Sequence, residues 1–244
     1  MSVFSRIIIV AALAGLVAGI FVTAAHHFGT AAIIARAEVF EKAADAAAPA
    51  ATGGTTSTDT SSADMAGMSH ADEGAAWEPK NGFERTTFTV LADVLTGVGF
   101  ALLLASAFVI SGREIDWRKG LFWGLAGFIT FTLAPGLGLP PEVPGTAAAP
   151  LLDRQIWWAA TAAATAAGLS LLFLTQRASL ALAGLALLIL PHIFGAPQPA
   201  EYKSAAPESL AHQFVVAAVI TSLLFWAVLG TLTGLLYKRF QPAT

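Results

Sequence analysis

Residues 178–197 read ASLALAGLALLILPHIFGAP. The thirteen residues before Pro191 carry one apolar run without a charge, and such a run predicts a helix held in a membrane or a buried core. Thirteen helical residues span only about 20 Å, whereas the hydrocarbon core of a bilayer is about 30 Å thick. We therefore expect Pro191 to end the helix at or within the membrane boundary and to leave a free carbonyl beside His192. A neutral imidazole in that place is either a transition-metal ligand or an ordinary interfacial side chain.

The composition of the whole chain indicates a membrane protein. Of its 244 residues, 56% are hydrophobic and only 12% are charged, whereas about 25% of the residues of a soluble domain are charged. The chain has no cysteine, which excludes disulfides and thiolate metal sites. It also lacks the glycine-rich phosphate loop that ends in Gly-Lys-Ser/Thr, so it does not hydrolyse ATP by that route.

Six apolar segments predict an all-α, polytopic membrane protein with six transmembrane helices. The predicted helices cover residues 7–28, 86–110, 120–133, 154–175, 178–190 and 210–236. Residues 1–30 hold transmembrane helix 1, residues 31–85 form a long outer loop, and residues 86–244 form a five-helix membrane bundle. A cleaved signal peptide is the alternative for the first segment, with Thr23-Ala24-Ala25 as a loose cleavage site.

The long loop between the first two spans divides into two parts. Residues 33–48 predict a short helix, and residues 49–76 then form a low-complexity tract of Ala, Gly, Ser, Thr and Asp, which cannot bury enough apolar surface to fold alone. Met65, Met68 and His70 lie within this tract among carboxylates. Thioethers and an imidazole favour a soft or borderline cation, and a plain polar linker is the alternative.

The distribution of basic residues predicts the orientation in the membrane. Six spans place both termini on one side, and the short segments on that side hold seven of the thirteen basic residues. These are Arg6, Arg113, Arg118, Lys119, Arg177, Lys238 and Arg239. Because short cytoplasmic segments are rich in Lys and Arg, we expect both termini to be cytoplasmic.

This topology places all five histidines on the outer side of the membrane. Asp93 lies in a span about 10 Å from its outer end, where a carboxylate is costly unless it faces a cavity or a partner. An outward-facing basin of imidazoles and carboxylates suits a divalent cation. The predicted metal ligands are His192, His212, Asp93, His26 and His27, with His192 as the leading candidate, Glu142 and Glu38 as acidic contributors, and Met65, Met68 and His70 as weaker candidates.

Several segments of the chain resemble the CbtA family, the predicted cobalt transporter subunits of bacteria. They are AEVFE at 37–41, GLFWGLAG at 120–127, GLPPEVPG at 138–145, RQIWW at 154–158 with Thr165-Ala166, PHIFGAP at 191–197, and Phe225-Trp226. The resemblance covers nearly all of the membrane-embedded chain and leaves out the tract at 49–76. It implies cobalt(II) as the transported ion, a link to cobalamin synthesis, and a small one-span partner of the CbtB type that bears histidines.

The sequence therefore predicts an inner-membrane subunit of a divalent metal uptake system, with no enzymatic activity and no organic cofactor. The leading alternative is a scaffold that binds no metal and holds a partner transporter. Small residues at Gly15 and Gly19, and again at Gly120 and Gly124, suit such helix–helix assembly or an oligomer. A membrane metalloenzyme is a third possibility, but the chain has no His-Glu-x-x-His motif and no Ser–Lys or Ser–His pair at a motif spacing.

Overall fold

The computed structural model describes residues 2–47, 79–80 and 82–241. These residues are mainly helical and include one isolated antiparallel bridge. The helices are α1 (Val3–Phe28), α2 (Ala31–Ala47), α3 (Phe83–Ser111), α4 (Trp117–Phe128), α5 (Ala134–Gly138), α6 (Leu151–Leu174), α7 (Ala178–Phe194) and α8 (Glu208–Arg239). A π-helical segment, Ile129–Leu133, joins α4 to α5, so that the run from Trp117 to Gly138 is continuous.

The predicted all-α fold is confirmed. Among the described residues, α1, α3, the α4–α5 run, α6 and α8 are long and apolar enough to cross a membrane, and α7 is a shorter apolar helix. The short helix predicted at 33–48 corresponds to α2. The division of the chain at residues 30 and 85 stays a prediction, and the whole low-complexity tract at 49–76, with Met65, Met68 and His70, lies outside the described residues.

The expectation that Pro191 ends its helix was wrong. The α7 helix continues for one more turn to Phe194, with the proline inside it. Pro191 has no amide hydrogen to donate, so the carbonyl of Leu187 four residues earlier loses its usual helical donor. The carbonyl of Pro191 itself accepts a hydrogen bond from the amide of Gly195 at 3.1 Å. The helix ends at Gly195, whose φ of 78° lies in a region that glycine enters without steric cost. The seventeen residues of α7 extend about 25 Å.

Pairs of helices contact each other backbone to backbone at glycines. A Cβ atom added to Gly97 of α3 would lie 2.6 Å from the carbonyl oxygen of Gly15 in α1, and one added to Gly19 would lie 2.9 Å from the carbonyl oxygen of Asp93. Carbon atoms do not approach so closely, so a side chain larger than hydrogen does not fit at these crossings. The close contact predicted for Gly15 and Gly19 is confirmed, and it forms within the chain.

Two further helix pairs, α4 with α8 and α6 with α7, also contact each other backbone to backbone at glycines. The α4 and α8 helices cross at Gly120, Gly124, Gly230 and Gly234, and α6 and α7 cross at Gly168 and Gly184. A Cβ at Gly234 would lie 2.6 Å from the Asp116 carbonyl oxygen, and a Cβ at either Gly168 or Gly184 would lie 2.7 Å from the carbonyl oxygen of the other. In lipid, where apolar surface alone does not drive helices together, such close backbone packing supplies the attraction.

The helix crossings are antiparallel and give the bundle two distinct ends. Positions 15, 19 and 23 of α1 meet positions 97–98, 94 and 93 of α3 in turn. We call one end the histidine end, because it holds the carboxyl ends of α1 and α7 and the amino end of α8, with four of the five histidines. The other is the terminus end, which holds Val3, Arg239 and the α3–α4 loop.

A small layer covers the histidine end beside α8. Ile33 and Ala37 of α2 pack with Val143, Ala206 and Leu210 in one buried cluster. The two loops that contribute to this layer, 139–150 and 195–207, are joined by backbone hydrogen bonds from the amide of Ala147 to Lys203 and from the amide of Ala205 to Gly145. The proline-rich loops therefore form a paired structure over the bundle.

The α4–α8 crossing predicts opposite effects of alanine at two helical glycines. Both Gly124→Ala and Gly99→Ala gain helix propensity, but a Cβ at Gly124 collides with backbone of α8, while nothing lies within 4 Å of a Cβ at Gly99. We expect Gly124→Ala to destabilise the protein by about 1–3 kcal/mol and Gly99→Ala to leave it as stable or slightly more stable. Thermal unfolding of the detergent-purified variants, followed by tryptophan fluorescence, measures the difference. Equal unfolding temperatures would contradict the crossing.

Candidate functional site

A cavity of about 620 Å³ lies at the histidine end of the bundle. Residues of α1, α2, α3, α8 and the π-helical segment line it. Its polar lining residues are His26, Thr30, Arg85, Thr89, Asp93, Thr96, Thr132 and Ser222. Phe100, Phe131 and Trp226 also line it. We call this space the histidine-end cavity.

Two of the predicted ligands meet in the histidine-end cavity. The Nδ1 atom of His26 lies 3.3 Å from Oδ2 of Asp93. The same carboxylate oxygen accepts a hydrogen bond from Oγ1 of Thr23 at 2.8 Å. The Asp93 side chain is 16% exposed and that of His26 is 37% exposed. The pair is therefore partly sheltered but still reachable from the cavity.

The α1–α3 crossing brings this pair together. Gly19 allows the backbones of α1 and α3 to touch beside Asp93, and one helical turn further along α1 Thr23 reaches the carboxylate. His26 follows three residues after Thr23 and so lies on the same face of α1. A carboxylate inside a membrane span is costly unless it faces a cavity or a polar partner. Asp93 has both, because it lines the histidine-end cavity and contacts His26.

The chemistry of the pair suits a metal ligand. When the neutral His26 ring donates its Nδ1 hydrogen to Asp93, its other nitrogen, Nε2, carries the lone pair. Histidines that bind metals commonly donate their second ring nitrogen to a carboxylate in this way, which fixes the tautomer and raises the basicity of the ligating nitrogen. Asp93 can act either as that orienting group or as an oxygen ligand itself.

The remaining predicted ligands lie elsewhere. His192 packs edge-on against Trp157, with 6.0 Å between the ring centroids, and the buried Nε1 of Trp157 has no hydrogen-bond partner in the described chain. His27 and His212 are exposed at the histidine end. The structure therefore joins His26 to Asp93 and leaves the other described histidines apart from that contact.

The two glutamates predicted as acidic contributors are paired with arginines. Oε1 of Glu38 accepts a hydrogen bond from Nη2 of Arg85 at 2.7 Å, and Oε2 of Glu142 accepts one from Nη2 of Arg154 at 3.3 Å. Within residues 2–47, 79–80 and 82–241, no group of three or more His, Cys, Asp or Glu side chains gathers at a place that could hold a metal ion. Metal binding by the separate residues stays a prediction.

Three hydroxyl residues in or beside the cavity gave no signal of a site in the sequence. Thr23 stood out only as part of a possible cleavage site, although its hydroxyl binds Asp93. Thr132 and Ser222 are separated by ninety residues, yet their hydroxyl oxygens lie 2.7 Å apart. Single hydroxyl residues are common in apolar helices, so only the crossing of the helices distinguishes these three.

An arginine lies beside the cation candidates in the same cavity. Arg85 lines the histidine-end cavity, and its positive charge opposes a cation there. Glu38 of α2 offsets that charge, because its carboxylate accepts the short hydrogen bond from Arg85. This bond, together with the charge of Arg85, holds the pKa of Glu38 below its ordinary value of 4.5 despite partial burial.

Comparison with known proteins gives one match. The model of the family described as "Probable cobalt transporter subunit (CbtA)" matches residues 4–238. A search of curated proteins and a search of solved structures find no match.

The Glu38–Arg85 pair predicts how acid affects the docking of α2. Because the pKa of Glu38 is lowered in the folded chain, the pair stabilises the fold above pH 4.5, and that contribution is lost as the pH falls through the lowered pKa. We expect amide protection in α2, taken as the observed hydrogen-exchange rate relative to the intrinsic rate at the same pH, to be high at neutral pH and to fall only in acid. Glu38→Gln should lower this protection at neutral pH and remove most of its acid dependence, whereas Asp45→Asn, at an exposed position of the same helix, should change neither. Equal exchange in both variants would contradict the role of the pair.

Proposed function

Since the chain belongs to the CbtA family of probable cobalt transporter subunits, we propose that it binds a divalent cation, with Co²⁺ as the cargo, at His26 and Asp93 of the histidine-end cavity. The observation that carries this proposal is the 3.3 Å contact between the imidazole and the carboxylate in a partly sheltered cavity. Binding here is the first step of uptake by a subunit of an inner-membrane system. The word subunit in the family description also implies a partner protein.

The donor atoms support a borderline divalent ion. Imidazole nitrogen suits late first-row metals such as cobalt, and carboxylate and hydroxyl oxygens complete their coordination with water. One nitrogen and one carboxylate make a loose site, and a transported ion must be held loosely enough to leave. A site built from two protein groups therefore fits cargo better than a permanently bound cofactor.

The charges support an orientation with both termini in the cytoplasm. The terminus end carries Arg6, Arg113, Arg118, Lys119, Arg177, Lys238 and Arg239, on or beside the short connections, as short cytoplasmic segments do. The histidine end then faces the outside, and His26 receives the cation before it crosses the membrane. This orientation supports uptake as the proposed direction of transport.

The other predicted ligands have a secondary place in this proposal. His192, His27 and His212 lie at the same end of the bundle but outside the contact between His26 and Asp93. They attract or pass on the cation in stages, and the Met65, Met68 and His70 segment is an additional capture arm. A small one-span partner with histidines would supply further ligands at this end.

The scaffold alternative loses its main support. The glycine faces of α1 and α4 that suited assembly with another protein pack against α3 and α8 of the same chain. They are therefore not available to a partner. A metal-binding role explains the partly sheltered pairing of His26 and Asp93, which a pure scaffold does not need.

The proposal predicts that two adjacent histidines of α1 differ in their effect on cobalt uptake. His26 contacts Asp93, whereas its neighbour His27 is exposed. We expect Asp93→Asn to weaken the apparent affinity for Co²⁺ by about 10–100-fold, as loss of a carboxylate partner of a metal-binding histidine does, and His26→Ala to weaken it at least as much. His27→Ala is the matched control and should leave uptake near that of the parent chain. Uptake of Co²⁺ by cells that lack their own copy of the gene, corrected for the amount of protein in the membrane, measures these effects.

Two results would overturn parts of the proposal. Unchanged cobalt uptake after deletion of the gene would end the transport role itself. Normal uptake by both His26→Ala and Asp93→Asn, combined with a strong loss in His192→Ala, would move the first binding step to His192. Competition by Ni²⁺, Zn²⁺ and Cu⁺ in the same assay identifies the preferred metal.

A further inference from the structure

A second cavity lies at the terminus end of the bundle and shares a wall with the first. Its volume is about 1010 Å³, and it lies between α3, α4 and α6. Most of its wall is apolar, but Arg113, Glu114 and Lys119 line it at the α3–α4 loop. Only three lining residues, Phe100, Phe131 and Trp226, belong to both cavities. We call these three side chains the aromatic barrier.

The rings of the aromatic barrier pack closely on one another. The centroid of Phe100 lies 5.1 Å from that of Phe131 and 4.7 Å from that of Trp226. Phe131 and Trp226 are stacked, with 5.6 Å between centroids and 5° between planes. Trp226 is only 2% exposed. The three rings come from three different parts of the chain and form one apolar partition.

The π-helical segment places polar groups on both sides of this partition. Within three consecutive residues, Thr130 lines the terminus-end cavity, Phe131 lines both cavities, and Thr132 lines the histidine-end cavity. The amide of Ala134 donates to the carbonyl of Ile129, which adds one residue to the turn and marks the π geometry. Such π turns are rare and often occur at functional sites. Here the extra residue directs the ring of Phe131 between two hydroxyl-bearing neighbours.

A neighbouring glycine makes room for the partition. A Cβ at Gly127 would lie 2.8 Å from Cη2 of Trp226, so the Trp226 ring rests directly on the backbone of α4. On the side of the barrier that faces the histidine-end cavity, Thr132 and Ser222 share a 2.7 Å hydrogen bond between their hydroxyls. The floor of the histidine-end cavity is therefore a pair of hydroxyls above three aromatic rings.

Resting on the function proposed above, we propose that Phe100, Phe131 and Trp226 form the constriction of a cation pathway that runs from the histidine-end cavity to the terminus-end cavity. A hydrated divalent ion does not cross stacked aromatic rings, because apolar constrictions exclude water and the ion keeps its hydration shell. The barrier thus separates the two cavities at rest, and transport requires the rings to move.

The chain offers a direct test, because it has no cysteine of its own. Single cysteines at Thr132 and at Thr130 lie on opposite sides of the barrier, and a charged, membrane-impermeant methanethiosulfonate reagent reports which of them water reaches. His27→Cys, at an exposed position of the histidine end, identifies the side of the membrane from which that end is reached. We expect Thr132→Cys to react from the His27 side and Thr130→Cys to react only from the opposite side.

Removing a ring should then open the partition. In the Thr130→Cys chain, we expect Phe131→Ala or Phe100→Ala to raise labelling from the His27 side from background to the level found at Thr132→Cys. Phe131→Leu keeps an apolar side chain and should keep the protection, and Phe4→Ala removes a phenylalanine that is 73% exposed and should change nothing. Retained one-sided labelling of Thr132→Cys in the Phe131→Leu chain checks that the bundle is intact.

Three outcomes would overturn the barrier. In the first, Thr130→Cys is labelled from the His27 side while all three rings are present. In the second, Thr130→Cys stays protected from that side in both alanine variants. In the third, Thr130→Cys does not react from either side. The labelling uses no metal, so its result is independent of the cobalt proposal. If Thr130→Cys is labelled from one side only and the His26→Ala and Asp93→Asn variants take up cobalt normally, the barrier is kept and the proposed binding site is rejected. If Thr130→Cys is labelled from both sides and the same two variants lose cobalt uptake, the barrier is rejected and the binding site is kept.

Discussion

The structure depends on contact between helix backbones at glycines. In a membrane, apolar side chains gain little by leaving lipid for one another, so close packing must supply the attraction between helices. Glycines provide it at three antiparallel crossings, α1 with α3, α4 with α8, and α6 with α7. The first two pairs then share a buried cluster that includes Val10, Phe108 and Leu229. The α6–α7 pair joins this four-helix core at the π-helical segment and α5.

Tight crossings in one place leave space in another. Where α1 touches α3 at Gly15 and Gly19, the neighbouring turn brings Asp93 to Thr23 and His26, and a cavity opens between these helices and α8. Where the α6–α7 pair stands away from α3 and α4, the second cavity forms. Large aromatic rings fill the middle of the bundle, and Gly127 gives the ring of Trp226 room against the backbone of α4. The same packing rule therefore places both cavities and the partition between them.

The charges at the histidine end are arranged around one carboxylate. Glu38 and Glu142 are each held by an arginine, and α2 carries its glutamate to Arg85 at the wall of the cavity. Asp93 instead has a hydroxyl and an imidazole as partners. A carboxylate without an arginine partner keeps its oxygens available to a cation, whereas one paired with arginine does not. Among the three predicted acidic ligands, this difference singles out Asp93.

The sequence by itself determined that the chain is built mainly from apolar helices of membrane length, because long runs without charge are stable as helices in a membrane. It also showed that histidines gather at one end of the bundle and that Gly15, Gly19, Gly120 and Gly124 allow close contact. It did not determine where α7 ends, since a proline in the last turn loses one hydrogen bond without breaking the helix. Nor did it show which ligands meet, because it favoured His192 as the first metal ligand, whereas His26 is the histidine that contacts Asp93. Only the tertiary structure decided that, since the rotation of each helix about its axis is set by the glycine crossings, and this rotation turns His26 towards Asp93 and His192 towards Trp157.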